Sequence, residues 1–135
     1  MQFEIARALL IVIGVIVAFG TLVADMNELH VFNAAWPPHA RFHCAAHALM
    51  NLGCGGLAIG LLVTPAREGR GLHVSVAAVL LAWSAACLRV ALLFPGTSAV
   101  AGPREPVLRG RPVSLWVADA LVLLTLAGAT TALTA

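Results

Sequence analysis

Charge is scarce in this sequence, and lysine is missing altogether. Only 10% of the 135 residues are charged, whereas 61% are hydrophobic. A soluble domain needs roughly a quarter of its residues charged to keep its surface hydrated. The composition therefore excludes an ordinary soluble globular domain.

Three further absences exclude classes of function. The basic residues are all arginines, and they are dispersed along the chain rather than clustered, which argues against a nucleic-acid surface. The 3 cysteines form no CxxC pair, so a thiol redox shuttle has little support. The HExxH pattern of zinc proteases is absent as well. We expect no nucleic-acid partner, and the sequence names no cofactor.

Long apolar runs are what the sequence has in abundance. Spanning a bilayer takes about 20 mostly apolar residues, and we predict helices over residues of about 6–25, 38–64, 72–94 and 112–134. The first is expected to be a retained helix rather than a secretory signal, because Glu4 interrupts its basic start. We predict an all-α fold, an integral membrane antiparallel four-helix bundle forming a single transmembrane domain over residues 1–135. The lipid bilayer, expected to be the cell membrane, surrounds this multi-pass chain.

Two of the apolar runs contain a charged residue, Arg89 in the third and Asp119 in the fourth. A charge in a bilayer costs several kcal/mol unless it is paired or hydrated. Both residues lie about 7–9 Å below the helix ends, on the side where Asp25 closes the first run. We predict that Arg89 and Asp119 meet. The pair is either a structural ion pair or a functional one, in which Arg89 holds an anion or carbonyl and Asp119 transfers protons.

A row of histidines begins the second apolar run from the same side. His39, His43 and His47 fall within about 80° of one another on a helix. Two histidines four residues apart can hold a metal ion, for which His43 and His47 are the candidates. The alternatives are hydrogen-bonded or catalytic histidines and side chains that only line a surface.

These positions predict a polar pocket near the two longer connections between the predicted helices, which join the first helix to the second and the third to the fourth. The candidate catalytic residues are Asp25, His39, His43, His47, Arg89 and Asp119. The candidate substrate-binding residues are Asn27, His30, Asn33, Trp36 and Trp116. A membrane-interface anchor is the alternative for Trp116. The loop over residues 102–112 could cover the pocket or be an ordinary surface loop.

One stretch of the chain resembles a signature of a family of small, uncharacterised four-helix membrane proteins. It reads Asn33-x-x-Trp36-Pro37-Pro38-His39-x-Arg41-Phe42-His43, after a helix ending Asp25-x-Asn27-x-x-His30. More loosely, the whole chain resembles the DoxX-like group, whose members are often linked to oxidoreductase systems. It is more distantly similar to the emopamil-binding sterol isomerases, where membrane helices hold acids, histidine and tryptophan around a lipid. The resemblance implies a helical membrane protein and no particular reaction.

Three functions remain open from the sequence. The first is an enzyme acting on a small lipophilic molecule by proton transfer, of isomerase or cyclase type, or by metal-assisted oxidoreduction. The second is a non-catalytic, DoxX-like accessory subunit of a membrane redox complex, and the third is a small transporter. The spacing of Gly56 and Gly60 suggests close helix packing, either within the bundle or in a homodimer.

Overall fold

The predicted four-helix bundle is confirmed by the computed structural model, which describes residues 1–66, 68–100 and 106–135. The helices are α1 (Gln2–Asp25), α2 (Pro38–Val63), α3 (Arg70–Val90) and α4 (Val113–Thr134). A 3₁₀ turn (Ala91–Leu93) extends α3, and strands β1 (Val107–Leu108) and β2 (Arg111–Pro112) form a hairpin before α4.

Each of the four helices is long and apolar enough to cross a membrane. The chain is therefore a multi-pass membrane protein. Helix α1 begins at Gln2, earlier than the apolar run suggested, and α3 begins at Arg70. Helix α2 begins with Pro38, which fits there because a helix makes no use of the first backbone N–H groups.

The helices form an antiparallel ring. Helix α1 packs along α2 and α3 along α4, while contacts of α1 with α4 and of α2 with α3 close the ring. Helix α1 ends and α2 begins at one end of the bundle, where α3 also ends and α4 begins. We call it the connector end, because the helices that meet there are joined by the two longer connections in the sequence. Helix α2 ends and α3 begins at the opposite end.

The apolar core fills the half of the bundle away from the connector end. It takes residues from the first halves of α1 and α3 and from the second halves of α2 and α4, which antiparallel packing brings together. Leucine and isoleucine side chains alternate there with alanines, which let helices approach closely. The core residues include Leu10, Ile13, Ala58, Leu62, Ala77, Leu81 and Ala129.

Helices α1 and α2 approach closely at Gly55. A Cβ atom at Gly55 would lie 2.6 Å from the carbonyl oxygen of Gly14 and 2.7 Å from the nitrogen of Ala18. The predicted packing pair, Gly56 and Gly60, does not pack within the bundle. A Cβ atom at either position would meet nothing within 4 Å. The helix contact therefore uses the glycine one position earlier, and the Gly56–Gly60 face points outward.

A buried hydroxyl in α4 gives a first prediction on stability. Thr125 is fully buried, and its Oγ1 has no hydrogen-bond partner among the described residues. Thr125→Val exchanges that hydroxyl for a methyl group of similar size and should stabilise the protein by about 1 kcal/mol. Thr125→Ser keeps the hydroxyl, leaves a void and should destabilise by about 1 kcal/mol. Thermal unfolding in detergent measures both changes, and a lower midpoint for Thr125→Val would contradict the unpaired state of the hydroxyl.

Candidate functional site

A cavity of about 770 Å³ lies at the connector end of the bundle. Its volume is within the range of about 300–1,000 Å³ that is typical of small-molecule sites. The wall is mostly apolar and takes residues from all four helices. The apolar lining includes Ile16, Val17, Ala85, Leu88, Leu115, Ala118 and Leu121.

Three polar residues lie next to one another in the wall of this cavity. The Nδ1 atom of His47 lies 3.5 Å from Oδ2 of Asp25, and its Nε2 atom lies 3.0 Å from Nδ2 of Asn51. Asp25 ends α1, whereas His47 and Asn51 lie one turn apart on α2. Asn51 is buried, and the side chain of Asp25 is only 17% exposed. We call these three residues the Asp25–His47 group.

The hydrogen bond from Asn51 determines which nitrogen of His47 carries a proton. The amide NH₂ of Asn51 donates, so Nε2 of His47 accepts in the neutral imidazole. The proton of the neutral ring is then on Nδ1, which faces the carboxylate of Asp25. An acceptor carboxylate and a ring N–H donor thereby lie side by side in the cavity wall, and groups of these two kinds act as bases and acids in proton transfer.

The connection between α1 and α2 covers the same cavity. The Asp25 carbonyl oxygen accepts hydrogen bonds from the backbone nitrogens of Asn27 and Val31, which turns the chain back over the helix ends. The rings of His30 and Trp36 meet edge to face at 5.6 Å, and both line the cavity. Nδ1 of His30 is buried without a hydrogen-bond partner among the described residues.

The two asparagines predicted to bind substrate shape this connection. The Asn27 side chain accepts a hydrogen bond from Leu29 N and donates one to the carbonyl oxygen of Ala24. The Asn33 side chain accepts from Ala35 N and donates to the carbonyl oxygen of Leu29. Asn27 also lines the cavity, whereas Asn33 is not among its lining residues. Their local hydrogen bonds are those of turn-forming asparagines.

The histidine row of α2 divides between two surroundings. His47 lines the cavity, but His39 and His43 are exposed and face each other, with their Nε2 atoms 3.0 Å apart. The ring of Phe42 lies against both of them, so the three rings form an aromatic patch at the start of α2. The expected convergence of all three histidines on one pocket is therefore not what the structure has.

The rotation of α2 explains this difference. Residues four apart drift by about 40° around a helix, so the row turns away from the bundle towards its start. Met50 and Leu57 lie further along the same helical row as the histidines, and they are 68% and 57% exposed. The inner face of α2 instead runs through Ala48, Asn51, Gly55, Ala58 and Leu62.

Arg89 and Asp119 meet, as predicted, on the outer surface between α3 and α4. The Nε and Nη2 atoms of Arg89 donate to the two carboxylate oxygens of Asp119, the first at 2.8 Å. Arg111 adds a second guanidinium, with Nη2 donating to Oδ2 of Asp119 at 2.8 Å. Neither Arg89 nor Asp119 lines the cavity. The single polar pocket predicted from the sequence is thus divided in two.

Trp116 belongs to this second polar group rather than to the cavity. The guanidinium carbon of Arg111 lies 4.2 Å above its ring, and its Nε1 atom donates to the carbonyl oxygen of Leu108 at 3.1 Å. Both contacts fasten the β1–β2 hairpin onto α4. We call Arg89, Arg111, Asp119 and Trp116 the arginine cluster.

The hairpin is the described part of the loop that was predicted to cover the pocket. Its turn residues Arg109 and Gly110 have φ values of +51° and +75°, the combination that fits a tight two-residue hairpin and suits glycine at the second position. Pro106, just before the hairpin, lines the cavity. Residues 102–105 of the predicted loop lie outside the described residues.

The predicted metal ligands do not meet. His43 contacts His39, whereas His47 contacts Asp25 and Asn51. In residues 1–66, 68–100 and 106–135, no group of three or more histidine, cysteine, aspartate or glutamate side chains could hold a metal ion. The metal-assisted variant of the predicted chemistry thus lacks a donor set in this part of the chain. The catalytic roles of the candidate residues remain predictions.

Two residues of these groups were missed from the sequence. Asn51 follows His47 by four residues, and a polar residue at that spacing in an apolar helix is the signal that could have identified it. Arg111 could not be assigned to Asp119 because its position depends on the hairpin. Small polar residues also line the cavity: Thr21, Ser84 and Ser114.

The family comparison covers almost the whole chain. Residues 9–133 match a family described as "Family of unknown function (DUF6640)". The chain belongs to the DUF6640 family. No curated protein and no solved structure matches it. Both the Asp25–His47 group and the arginine cluster lie within the residues that match DUF6640.

Membership of DUF6640 supports the coarser of the sequence resemblances. The chain is one of a small family without an assigned reaction, and it has four helices of membrane-spanning length. Neither a similarity to the DoxX-like group nor one to the emopamil-binding sterol isomerases is shown.

Proposed function

We propose that this protein is an enzyme of the cell membrane that moves a proton on a small lipophilic molecule held in the connector-end cavity. The observation that carries the proposal is the Asp25–His47 pair, 3.5 Å apart in the wall of a mostly apolar cavity. Ionisable groups are costly at membrane depth, and their presence beside a cavity is typical of a working site.

The shape of the cavity favours an amphiphilic substrate. Its polar wall, with Asp25, His30 and His47, lies towards the connector end, whereas Val17 and Leu121 line it nearer the core. A molecule with a carbonyl or hydroxyl group at one end and a hydrocarbon body would match both parts of the wall. Terpenoids, quinones and polyketides have this character.

Access from the lipid is expected between α1 and α4. Among the residues that line the cavity, Ile16 and Gly20 on α1 and Val117 on α4 are also exposed. These two helices are neighbours in the ring, and the exposed lining residues face the space between them at the connector end. A substrate dissolved in the bilayer could thus reach the cavity without crossing water.

The chemistry that we propose is an isomerisation by removal and return of a proton. The Asp25 carboxylate accepts a proton from a carbon next to a carbonyl group or a double bond. The Nδ1–H of His47 donates a proton at the other end of the shifted electron pair. Transfer of the proton from Asp25 to His47 restores both groups. No atom is gained or lost, and the substrate double bond changes its position.

Solvent deuterium provides a test that does not require the product to be known. The purified protein is incubated in D₂O with a panel of isoprenoid, quinone and polyketide compounds, and mass spectrometry detects deuterium in the recovered compound. We expect incorporation with at least one compound. Asp25→Asn should lower its rate by about 100- to 10,000-fold, the usual contribution of a general acid or base.

Two control variants, one matched to His47→Gln and one to Asp25→Asn, test where the chemistry takes place. His47→Gln should lose incorporation, whereas His43→Gln should retain it, since His43 does not line the cavity. Glu28→Gln removes an acid from the exposed connection and serves as the charge control for Asp25→Asn. Full incorporation by folded Asp25→Asn and His47→Gln proteins would refute the proposal.

A non-catalytic accessory subunit, DoxX-like in role, is the second candidate. The outward-facing Gly53, Gly56 and Gly60, whose Cβ positions meet nothing within 4 Å, favour it. Such a face allows close approach of another membrane helix, from a second copy or from a redox partner. Crosslinking in native membranes would support this candidate if Gly56→Leu abolished a specific adduct. A protein that gives no adduct under these conditions would count against it.

A further inference from the structure

The arginine cluster contains two positive charges and only one negative charge. Arg89 and Arg111 share the single carboxylate of Asp119, and within the described residues neither has another ion-pair partner. Arginine remains protonated in proteins. The surplus charge therefore cannot be removed by loss of a proton, and within the described residues it is left for an anion or for water.

The depth of the cluster makes an anion the better partner. Asp119 lies about 9 Å below the start of α4 at 1.5 Å per residue. The side chains of Arg89, Asp119 and Arg111 are 34%, 37% and 38% exposed, and none of them lines the cavity. They therefore face outward. A position about 9 Å from the end of a membrane-spanning helix is expected near the level where phospholipid headgroups meet the acyl chains. A net cation at this level attracts the phosphates of anionic lipids.

The geometry of the cluster suits a phosphate group. A guanidinium presents several N–H donors in one plane, which can bind two phosphate oxygens at once. Asp119 occupies only the Nη2 atom of Arg111, so its other N–H donors remain for a ligand. Trp116 holds the Arg111 side chain in place, with its ring 4.2 Å from the guanidinium carbon.

We propose that the arginine cluster binds the phosphate of an anionic phospholipid on the outer α3–α4 surface, with Arg111 as the main contact and Arg89 as the second. Asp119 fixes the two guanidinium groups in position and leaves one positive charge for the lipid. The site is separate from the connector-end cavity and does not depend on the proposed enzymatic function.

Lipid binding by the purified protein tests this site. The protein is placed in nanodiscs of phosphatidylcholine, or of phosphatidylcholine with phosphatidylglycerol of the same acyl chains. We expect phosphatidylglycerol to raise the unfolding temperature and to be retained in native mass spectrometry. Arg111→Gln leaves a neutral Arg89–Asp119 pair, so its affinity for phosphatidylglycerol should fall about fivefold.

Arg70→Gln is the matched control. It removes the same charge at the end away from the connectors, where the Arg70 guanidinium lies over the Phe3 ring. Its affinity for phosphatidylglycerol should equal that of the unchanged protein. An equal loss in both variants would show non-specific attraction and would overturn the proposal. So would stabilisation by inorganic phosphate in detergent that matches the effect of phosphatidylglycerol, since it would indicate a site for any free anion.

A second variant separates lipid binding from a purely structural role of the cluster. Asp119→Asn leaves both guanidinium groups without their carboxylate, so the lipid phosphate should become their main partner. We expect the unfolding temperature of Asp119→Asn to depend more strongly on phosphatidylglycerol than that of the unchanged protein. If anionic lipid restores no stability to Asp119→Asn, the cluster only fastens the hairpin and the lipid site does not exist.

Discussion

Gly55→Val should prevent α1 and α2 from packing and should destabilise the bundle by about 3 kcal/mol or more. Even the Cβ atom would lie 2.6 Å from the carbonyl oxygen of Gly14 and 2.7 Å from the nitrogen of Ala18. Both atoms belong to the backbone of α1, so no change of side-chain rotamer can relieve the overlap. The helices would have to separate along a contact that supports the core. The yield of monodisperse protein and its thermal unfolding midpoint in detergent measure the effect.

Gly56→Val provides the control at the next position. It adds the same side chain to the same helix, and its Cβ atom meets nothing within 4 Å. We expect its unfolding midpoint to stay within the small range that is usual for surface substitutions, about 0.5 kcal/mol. Equal losses of stability in the two variants would mean that the α1–α2 contact does not lie at Gly55.

A bulky side chain in the connector-end cavity should weaken ligand binding without unfolding the protein. Gly20 lines the cavity, and a Cβ atom there would have only Ile16 Cγ2 nearby, at 3.7 Å. Gly20→Phe can therefore be accommodated, and its ring would occupy the space between α1 and α4. We expect the affinity for any ligand of the cavity to fall about 10- to 100-fold, because overlap with a bound molecule costs about 1–3 kcal/mol.

Binding is measured with the compound identified in the deuterium experiment, by retention on the detergent-solubilised protein. Ala85→Phe is a second variant in the wall of the same cavity, on the α3 side. Gly56→Phe adds the same ring to the outward face of α2 and should leave binding unchanged. Undiminished binding by both Gly20→Phe and Ala85→Phe would place the ligand elsewhere.

The number and approximate bounds of the helices follow directly from the sequence. A bilayer requires a minimum length of apolar chain for each crossing, and the four runs are separated by proline, glycine and charged residues. The meeting of Arg89 with Asp119 was predictable for a similar reason. Each is the one formally charged residue within its predicted apolar run, and a bilayer strongly favours pairing of opposite charges.

The rotation of α2 could not be predicted from the sequence. In a membrane the lipid-facing residues are as apolar as the core, so hydrophobic periodicity does not distinguish Met50 and Leu57 from Ala48 and Ala58. The glycines of α2 add to the ambiguity, because Gly55 faces α1 whereas Gly53 and Gly56 face outward. The contact of Gly55 with α1 shows which face is inside, and that face carries His47 but not His43.

The contact of Arg111 with Asp119 could not be predicted from the sequence for a different reason. Arg111 reaches Asp119 only because a two-residue turn at Arg109 and Gly110 folds the chain into a hairpin. Loop conformation depends on such single-residue backbone choices rather than on periodicity. The same holds for Asn27 and Asn33, whose hydrogen bonds to nearby backbone groups are a local property of the turn.

The packed half and the hollow half of the bundle have different consequences for sequence change. Substitutions among the tightly fitted residues around Leu10 and Leu81 threaten assembly itself. Substitutions around the connector-end cavity mainly alter the size and polarity of the ligand that it can bind. The same four-helix bundle can therefore change its ligand specificity at the connector end while the packed core at the opposite end keeps the protein folded.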